Sequence, residues 1–298
     1  MASARRTSVV ILFWIVLPVA GAAAQDSSSE QTDETAQKVR QHWLNLSRKY
    51  AEGFTLAEIE DGAKPFQLYE KPVFLHTQSV RGDDIGAVHL WLTQDKRPAV
   101  VGAVFAWSNS KTSRMVTYEL HSLVQQPISL SLSQRTQWTC PTRGFDWKAF
   151  PRGTPPPAKN TLQQRLQVKQ LARQFTANTT TDKNQRWELR LVPTPIYEYQ
   201  SKSSGVVHGA MFSFCQGTDT ELLLLIEAFG KPEGDSKEAT SLNWRYAPVP
   251  FSDYKVRAQL QEEEIWESPE GEFGEDGKPH YWDSLKQVSK PDFEITQD

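Results

Sequence analysis

The sequence predicts an α+β fold of two duplicated helix-plus-antiparallel-sheet units joined by a proline-rich connector. Three observations predict it. A helical period occurs twice, each time followed by short strand-like runs. Twenty residues rich in proline separate the two series. A shift of 123 residues, without a gap, superposes Pro72 on Pro195, Gly82 on Gly205, Gly86 on Gly209 and Ala87 on Ala210.

The first helix is expected from Ala36 to about Phe54, because Val39, Trp43, Leu46 and Tyr50 recur every three or four residues. The period then falls to two. "FQLY", "PVFLH", "GAVHLWLT", "AVVGAVFAW" and "RMVTYELHSLV" are separated by polar turn clusters and read as antiparallel strands. In "GAVHLWLT", Val88, Leu90 and Leu92 share one face, while Ala87, His89 and Trp91 share the other. The wholly apolar face is expected to pack on the helix.

Residues 141–160 form the connector, with Pro155, Pro156 and Pro157 as its stiff part. A second helix follows from Thr161 to about Thr176, its apolar set being Leu162, Leu166, Val168, Leu171 and Phe175. The later strands are "RWELRLV", "PIYEYQ", "VVHGAMFSFCQ", "ELLLLIEAF", "SLNWRYAPV" and "YKVRAQL". Leu222 to Ile226 is apolar at every position, so this strand needs cover on both faces. The units are thus drawn at 36–140 and 161–268. A helix wrapped by a curling sheet is analogous to cystatin-like and NTF2-like architectures, a likeness of fold that carries no function.

The ends carry different signals. Arg5 and Arg6, the apolar Val9–Val19 and the small residues Ala22-Ala23-Ala24 form the pattern of an export signal over residues 1–24. The apolar run falls short of the roughly 20 residues a membrane span needs, so cleavage is expected rather than anchoring. Removing it takes away two arginines and no acid, so the formal charge of −3 becomes −5. An acidic exported protein is a poor binder of nucleic acid. Residues 25–35 are polar and read as a disordered lead-in; residues 269–298 read as an acidic polar tail. Ten Lys/Arg lie between Arg143 and Arg190, and eight acids between Glu262 and Asp276. These runs are either solvated faces or surfaces that attract each other or a charged envelope polymer.

Catalytic signatures are sparse. There is no nucleophile elbow, dense metal-ligand spacing, phosphate loop or dinucleotide fingerprint, and no cofactor is expected. His121 and Ser122 are neighbours in one strand and point to opposite faces. His89 and His208 sit on the superposed strands without being equivalent, and Asp219 lies in the turn of "FCQGTDTELLLLIE", read as a hairpin. Cys140 and Cys215 could form a single disulfide or remain two buried thiols. Among the aromatic residues, Trp147, beside Phe145 and Phe150 in the connector, is best placed to meet a ligand.

The phrases "ELHSL", "LARQFTA", "RWELRLVPTPIYEY" and "GAMFSFCQGTDTELLLLIEA" resemble a family of exported bacterial proteins with no assigned role, over most of the chain. The resemblance implies export and transfers no catalytic residue. Three functions are open at this point. One is a non-enzymatic module binding an envelope protein or glycan through Trp147, His89, His208 or Asp219. Another is an exported hydrolase using carboxylates or a lone histidine. The third is a structural spacer of the envelope with no ligand, which the scarcity of specific motifs supports. Two ionisable groups converging in a pocket would favour the hydrolase.

Overall fold

The computed structural model describes residues 26–78, 83–141, 143, 145–181, 184–230, 242–252, 254–268 and 281–295. The signal pattern of residues 1–24 lies outside the described residues. In chain order the elements begin with helix α1 (Asp26–Gly53) and strands β1 (Phe54–Glu58), β2 (Gln67–Leu68), β3 (Phe74–Gln78) and β4 (Asp84–Leu92). Strands β5 (Pro98–Ser108), β6 (Ser113–Ser122), β7 (Ile128–Leu132), β8 (Arg135–Cys140) and β9 (Lys148–Ala149) follow. Helix α2 (Thr161–Ala172) leads into β10 (Phe175–Thr180), β11 (Arg186–Leu191), β12 (Tyr197–Ser201), β13 (Val206–Gln216) and β14 (Asp219–Phe229). The chain closes with β15 (Asn243–Pro250), β16 (Lys255–Leu260), β17 (Glu263–Glu267), β18 (Tyr281–Ser289) and α3 (Asp292–Ile295).

This is a mostly antiparallel β fold, 53% strand and 16% helix, and it corrects the α+β expectation. Each strand-like run of the sequence does contain a strand. Seven further strands escape the reading, however: β1, β7, β8, β9, β10, β17 and β18. They are short or polar-rich, and a partner strand rather than their own pattern holds them extended. The duplicated units fail for a topological reason. The first large sheet has six strands, ordered β18-β6-β5-β4-β2 with β3 also on β4, and recruits its edge from the far end of the chain. The second has nine, ordered β17-β16-β10-β11-β13-β14-β15-β9 with β12 on β13. A separate three-stranded sheet, β1-β7-β8, has no counterpart.

The ends are also more ordered than their composition suggests. Helix α1 begins at Asp26, inside the stretch read as lead-in. Strand β18, inside the stretch read as polar tail, pairs with β6 from Tyr281↔His121 to Ser289↔Ser113. Beyond it Glu294 accepts from Trp43 Nε1 and Arg114 Nε, both at 2.7 Å, which fastens α3 to the first core. Of the acidic run, Glu264 and Glu267 pair with Arg257, and Glu267 with Lys255, on the adjacent strand. Residues 269–276 of that run lie outside the described residues.

Three cores follow from these layers. Val39 and Trp43 of α1 pack with Trp91, Val104, Leu120, Ile128 and Leu130 against the six-stranded sheet and the small sheet. Val168 and Leu171 of α2 pack with Phe212, Leu222, Leu224 and Ile226 on the nine-stranded sheet. Between the two large sheets Val88, Leu90 and Leu92 meet Met211, Leu223, Leu225 and Val249. The both-sided apolar run of β14 is therefore covered on both faces, as its sequence requires. In β4 the faces alternate as expected, but with the opposite assignment. Val88, Leu90 and Leu92 meet the other sheet, whereas His89 and Trp91 face the helix, where Ser47 Oγ reaches His89 Nε2 at 2.9 Å. Helix α2 starts at the Asn160 cap, whose side chain accepts from Gln163 N–H, and stops at Ala172. Phe175 thus belongs to β10, and Leu162 and Leu166 stay exposed.

Candidate functional site

The site grows from one row across the nine-stranded sheet. Strand register places Tyr199 opposite Gly209, Gly209 opposite Glu227, Glu227 opposite Arg245, and Arg245 opposite Ala149. Residues paired directly across antiparallel strands share a face. Gly209 leaves the row open at its second place: a Cβ there would stand 2.4 Å from the Tyr199 ring. The phenol therefore crosses the glycine and donates to Glu227 Oε1 at 2.7 Å. Burial, then the Glu227 charge, holds the Tyr199 pKa well above its ordinary value, so the hydroxyl stays a donor.

Glu227 is fully buried, and a lone carboxylate there would be costly. Two arginines offset that cost. Arg245 donates from Nε to Oε2 at 2.7 Å and brings Nη2 to the same oxygen. Arg97, at the tip of the β4–β5 hairpin of the opposite sheet, donates from Nη2 to Oε1 at 2.9 Å. One negative charge thus faces two positive ones. Arg143 adds to the excess: its pKa is depressed by burial and then by the charge of Arg97.

Trp147 stands over this cluster. The Arg245 guanidinium lies 4.4 Å from the centroid of Trp147 and 4.4 Å from that of Phe229. Arg97 lies 6.0 Å from the same indole. Beside them opens a cavity of about 470 Å³ lined by Trp147, Lys148, Phe150, Arg152, Thr154, Phe229, Asn243, Trp244 and Arg245, among others. That volume falls within the usual range of ligand pockets, roughly 300–1,000 Å³. Among the described residues the lining carries three cations and no carboxylate.

The other sequence candidates lie elsewhere. His89 is buried against α1, its pKa pushed down to about 4 by burial and then by Arg48. His208 is buried on β13, 3.9 Å from Glu198, which itself pairs with Arg165. Burial lowers the His208 pKa, and Glu198 offsets this in part. Asp219 meets a histidine that the sequence does not single out: its Oδ1 is 3.3 Å from Nδ1 of His76. His76 Nε2 lies 3.9 Å from Asp84, beyond hydrogen-bond reach, so Asp84 acts on it through charge. Two ionisable groups do converge there, but His76 is 2% exposed and stacks on Phe105 at 4.8 Å. Two other cavities, of about 450 and 650 Å³, are lined around Tyr69, Lys169 and Glu198, and around Glu58, Asp95 and Ser203. None of the three cavities is lined by His89, His208, His76 or Asp219.

The disulfide is not made. Cys140 is buried at the end of β8 in the first core, whereas Cys215 lies on the nine-stranded sheet, 3.0 Å from Ser213 Oγ. Burial pushes the Cys215 thiol up from its ordinary pKa, which leaves it a poor nucleophile.

Of the sequence candidates only Trp147 belongs to the cationic cavity. Sequence reasoning missed Glu227, Arg245 and Arg97. One signal could have found the first, since a glutamate in a strand apolar on both faces must be paired once buried. Among the described residues no cluster of His, Cys, Asp and Glu could hold a metal ion, and no helix is long and apolar enough to cross a membrane. Comparison with family models, with curated proteins and with solved structures finds no match to this chain.

Proposed function

We propose that this chain is an exported, non-enzymatic binding module of the cell envelope, with the cavity beside Trp147 as its ligand site. The observation that carries the reading is the pairing of an open cavity with aromatic and cationic walls. Its walls supply dispersion, hydrogen bonds and positive charge, the means of recognition rather than of proton transfer. By contrast, the His76–Asp219 pair has acid–base chemistry to offer but lines none of the three cavities. Export is supported by the pattern of residues 1–24 and by the family resemblance of "RWELRLVPTPIYEY" and "GAMFSFCQGTDTELLLLIEA".

The test is retention from envelope extract on immobilised protein lacking residues 1–24, with soluble glycans as competitors. Trp147→Ala and Arg152→Gln serve as controls. A retained protein or glycan that both variants lose is the expected result. Retention that is indifferent to both, or no retention at all, refutes the reading.

A further inference from the structure

We infer that the cavity beside Trp147 takes an anionic saccharide unit, its carboxylate or phosphate held by Arg152 and Arg245 while its ring lies against the aromatic wall. This rests on the binding-module reading and names the chemistry of its ligand. The charge argument comes first. Arg97, Arg143, Lys148, Arg152 and Arg245 stand around Trp147 and the cavity, and among the described residues the carboxylates opposing them are Glu227, Asp146 and, beside Tyr246, Glu263. Glu227 is buried and shared by two arginines, so it cannot neutralise both. The net field at the cavity is positive in a chain that is acidic as a whole. An anion gains most from such a field.

Pre-organisation comes second. The Arg245 guanidinium is clamped between Trp147 and Phe229, and its Nε and Nη2 are committed to Glu227. Its remaining edge is presented without the rotamer entropy that a free arginine would lose on binding. Arg152 is exposed and makes no ion pair among the described residues, so its planar fork can meet a second pair of oxygens. Lys148 is tied by its ammonium to the Ile265 carbonyl, which positions the charge without cancelling it.

An unmet donor comes third. Trp244 is 5% exposed and lines the cavity, and its indole N–H has no acceptor among the described residues. A buried donor left in this state has lost its water and gained nothing in exchange. A hydroxyl-rich ligand supplies acceptors, whereas a hydrocarbon cannot. The aromatic lining Trp147, Phe150 and Phe229 offers the apolar surface that a pyranose C–H face needs. A nucleic acid would also bring phosphate and rings, but the overall charge of the chain opposes a long polyanion.

The experiment titrates the purified chain, by calorimetry and by tryptophan fluorescence, with three probes of similar size. They are a neutral disaccharide, a disaccharide containing a uronic acid, and a sugar phosphate. At least one acidic probe should bind tenfold or more tightly than the neutral one, and its affinity should fall as salt rises. The uronic-acid and phosphate arms tell which anion the site prefers. Arg152→Gln, a surface change that leaves the fold intact by its circular dichroism and melting temperature, should cut acidic-probe affinity about five- to tenfold. It should weaken neutral-probe binding much less, because a neutral ring brings no charge for the guanidinium to meet. Equal binding of neutral and acidic probes overturns the inference, as does an Arg152→Gln variant that binds acidic probes normally. Either result leaves the binding-module reading standing if envelope retention still depends on Trp147.

Discussion

Replacing Glu227 by Gln tests the electrostatic core of the site. The change keeps the shape of the side chain and removes one charge that two arginines and a tyrosine share at 2.7–2.9 Å. Removing one partner of a buried charge pair costs about 3–5 kcal/mol when the survivor stays dry. Here the survivors are not dry, because the side chains of Arg97 and Arg245 are 22% and 20% exposed and can recruit water. The amide oxygen also still accepts one hydrogen bond, the Tyr199 hydroxyl being the nearest neutral donor. The expected loss is therefore about 2–4 kcal/mol. With an m-value near 3 kcal/mol/M, the urea midpoint should fall by about 1 M at constant slope. The paired variant Glu227→Leu with Arg245→Met sharpens the test. It removes both charges, so it should lose at least about 1 kcal/mol less than the two single changes added together. Trp147 emission should shift in Glu227→Gln as the guanidinium stacked on it loosens. A loss under about 0.5 kcal/mol, or strict additivity in the double variant, would refute a shared buried charge as the organiser of the site.

Three further outcomes follow from buried histidines and close-packed glycines. Burial lowers the His76 pKa, but the charges of Asp84, Asp219 and Glu221 outweigh it, and the net value is raised. The folded state therefore holds the proton more tightly than the unfolded chain. The added stability is complete below the ordinary histidine pKa of about 6.5 and is lost as pH rises through the raised value. His76→Gln should remove that alkaline limb in urea melts taken from pH 5.5 to 8.5, and an unchanged limb would show that His76 titrates unlinked to folding. His89 has the opposite sign, since it stays neutral down to about pH 4 while the unfolded chain takes a proton below about 6.5. It should cost on the order of 3 kcal/mol across that acid window, and His89→Gln should flatten the slope there. Gly209→Ala puts a Cβ 2.4 Å from the Tyr199 ring and should cost about 1–3 kcal/mol or more. Adding Tyr199→Ala should relieve part of that loss; a fully additive double variant would show that the ring is not what the glycine accommodates.

Much of the strand content was legible along the chain. Alternation of side chains marked β4, and the uninterrupted apolar run of β14 demanded cover on both faces, because these patterns arise from local backbone geometry. Trp147 could be singled out because an aromatic residue in a proline-rich connector has no strand of its own to pack on. The glycine-bearing turn expected at 217–220 was legible for a similar reason, since Gly217 adopts a φ of 63°, which favours glycine, but it is tighter than expected: Asp219 already opens β14 opposite Gln216. Local pattern could not reveal β1, β7, β8 or β18. Their residues become strands only where another strand offers unpaired N–H and C=O groups, and for β18 that strand lies about 170 residues away. The two helices, clear as periods, overstated the helical share for the same reason.

What the sequence by itself determined about this protein is where side chains alternate, where the chain must turn, and where a carboxylate stands in an apolar strand. Tertiary structure alone decided what each face meets. Val88, Leu90 and Leu92 could have served a helix or a sheet equally well; His89 went to the helix because Ser47 was there to meet it. The site was decided in the same way. Tyr199, Gly209, Glu227 and Arg245 come into line only through the registers of four strands, and Arg97 reaches them only because the two sheets pack face to face. Charge pairing acts over a few ångströms in space and is blind to distance along the chain. A buried glutamate can therefore announce its need for partners in the sequence, but only the packed sheets can say which ones answer it.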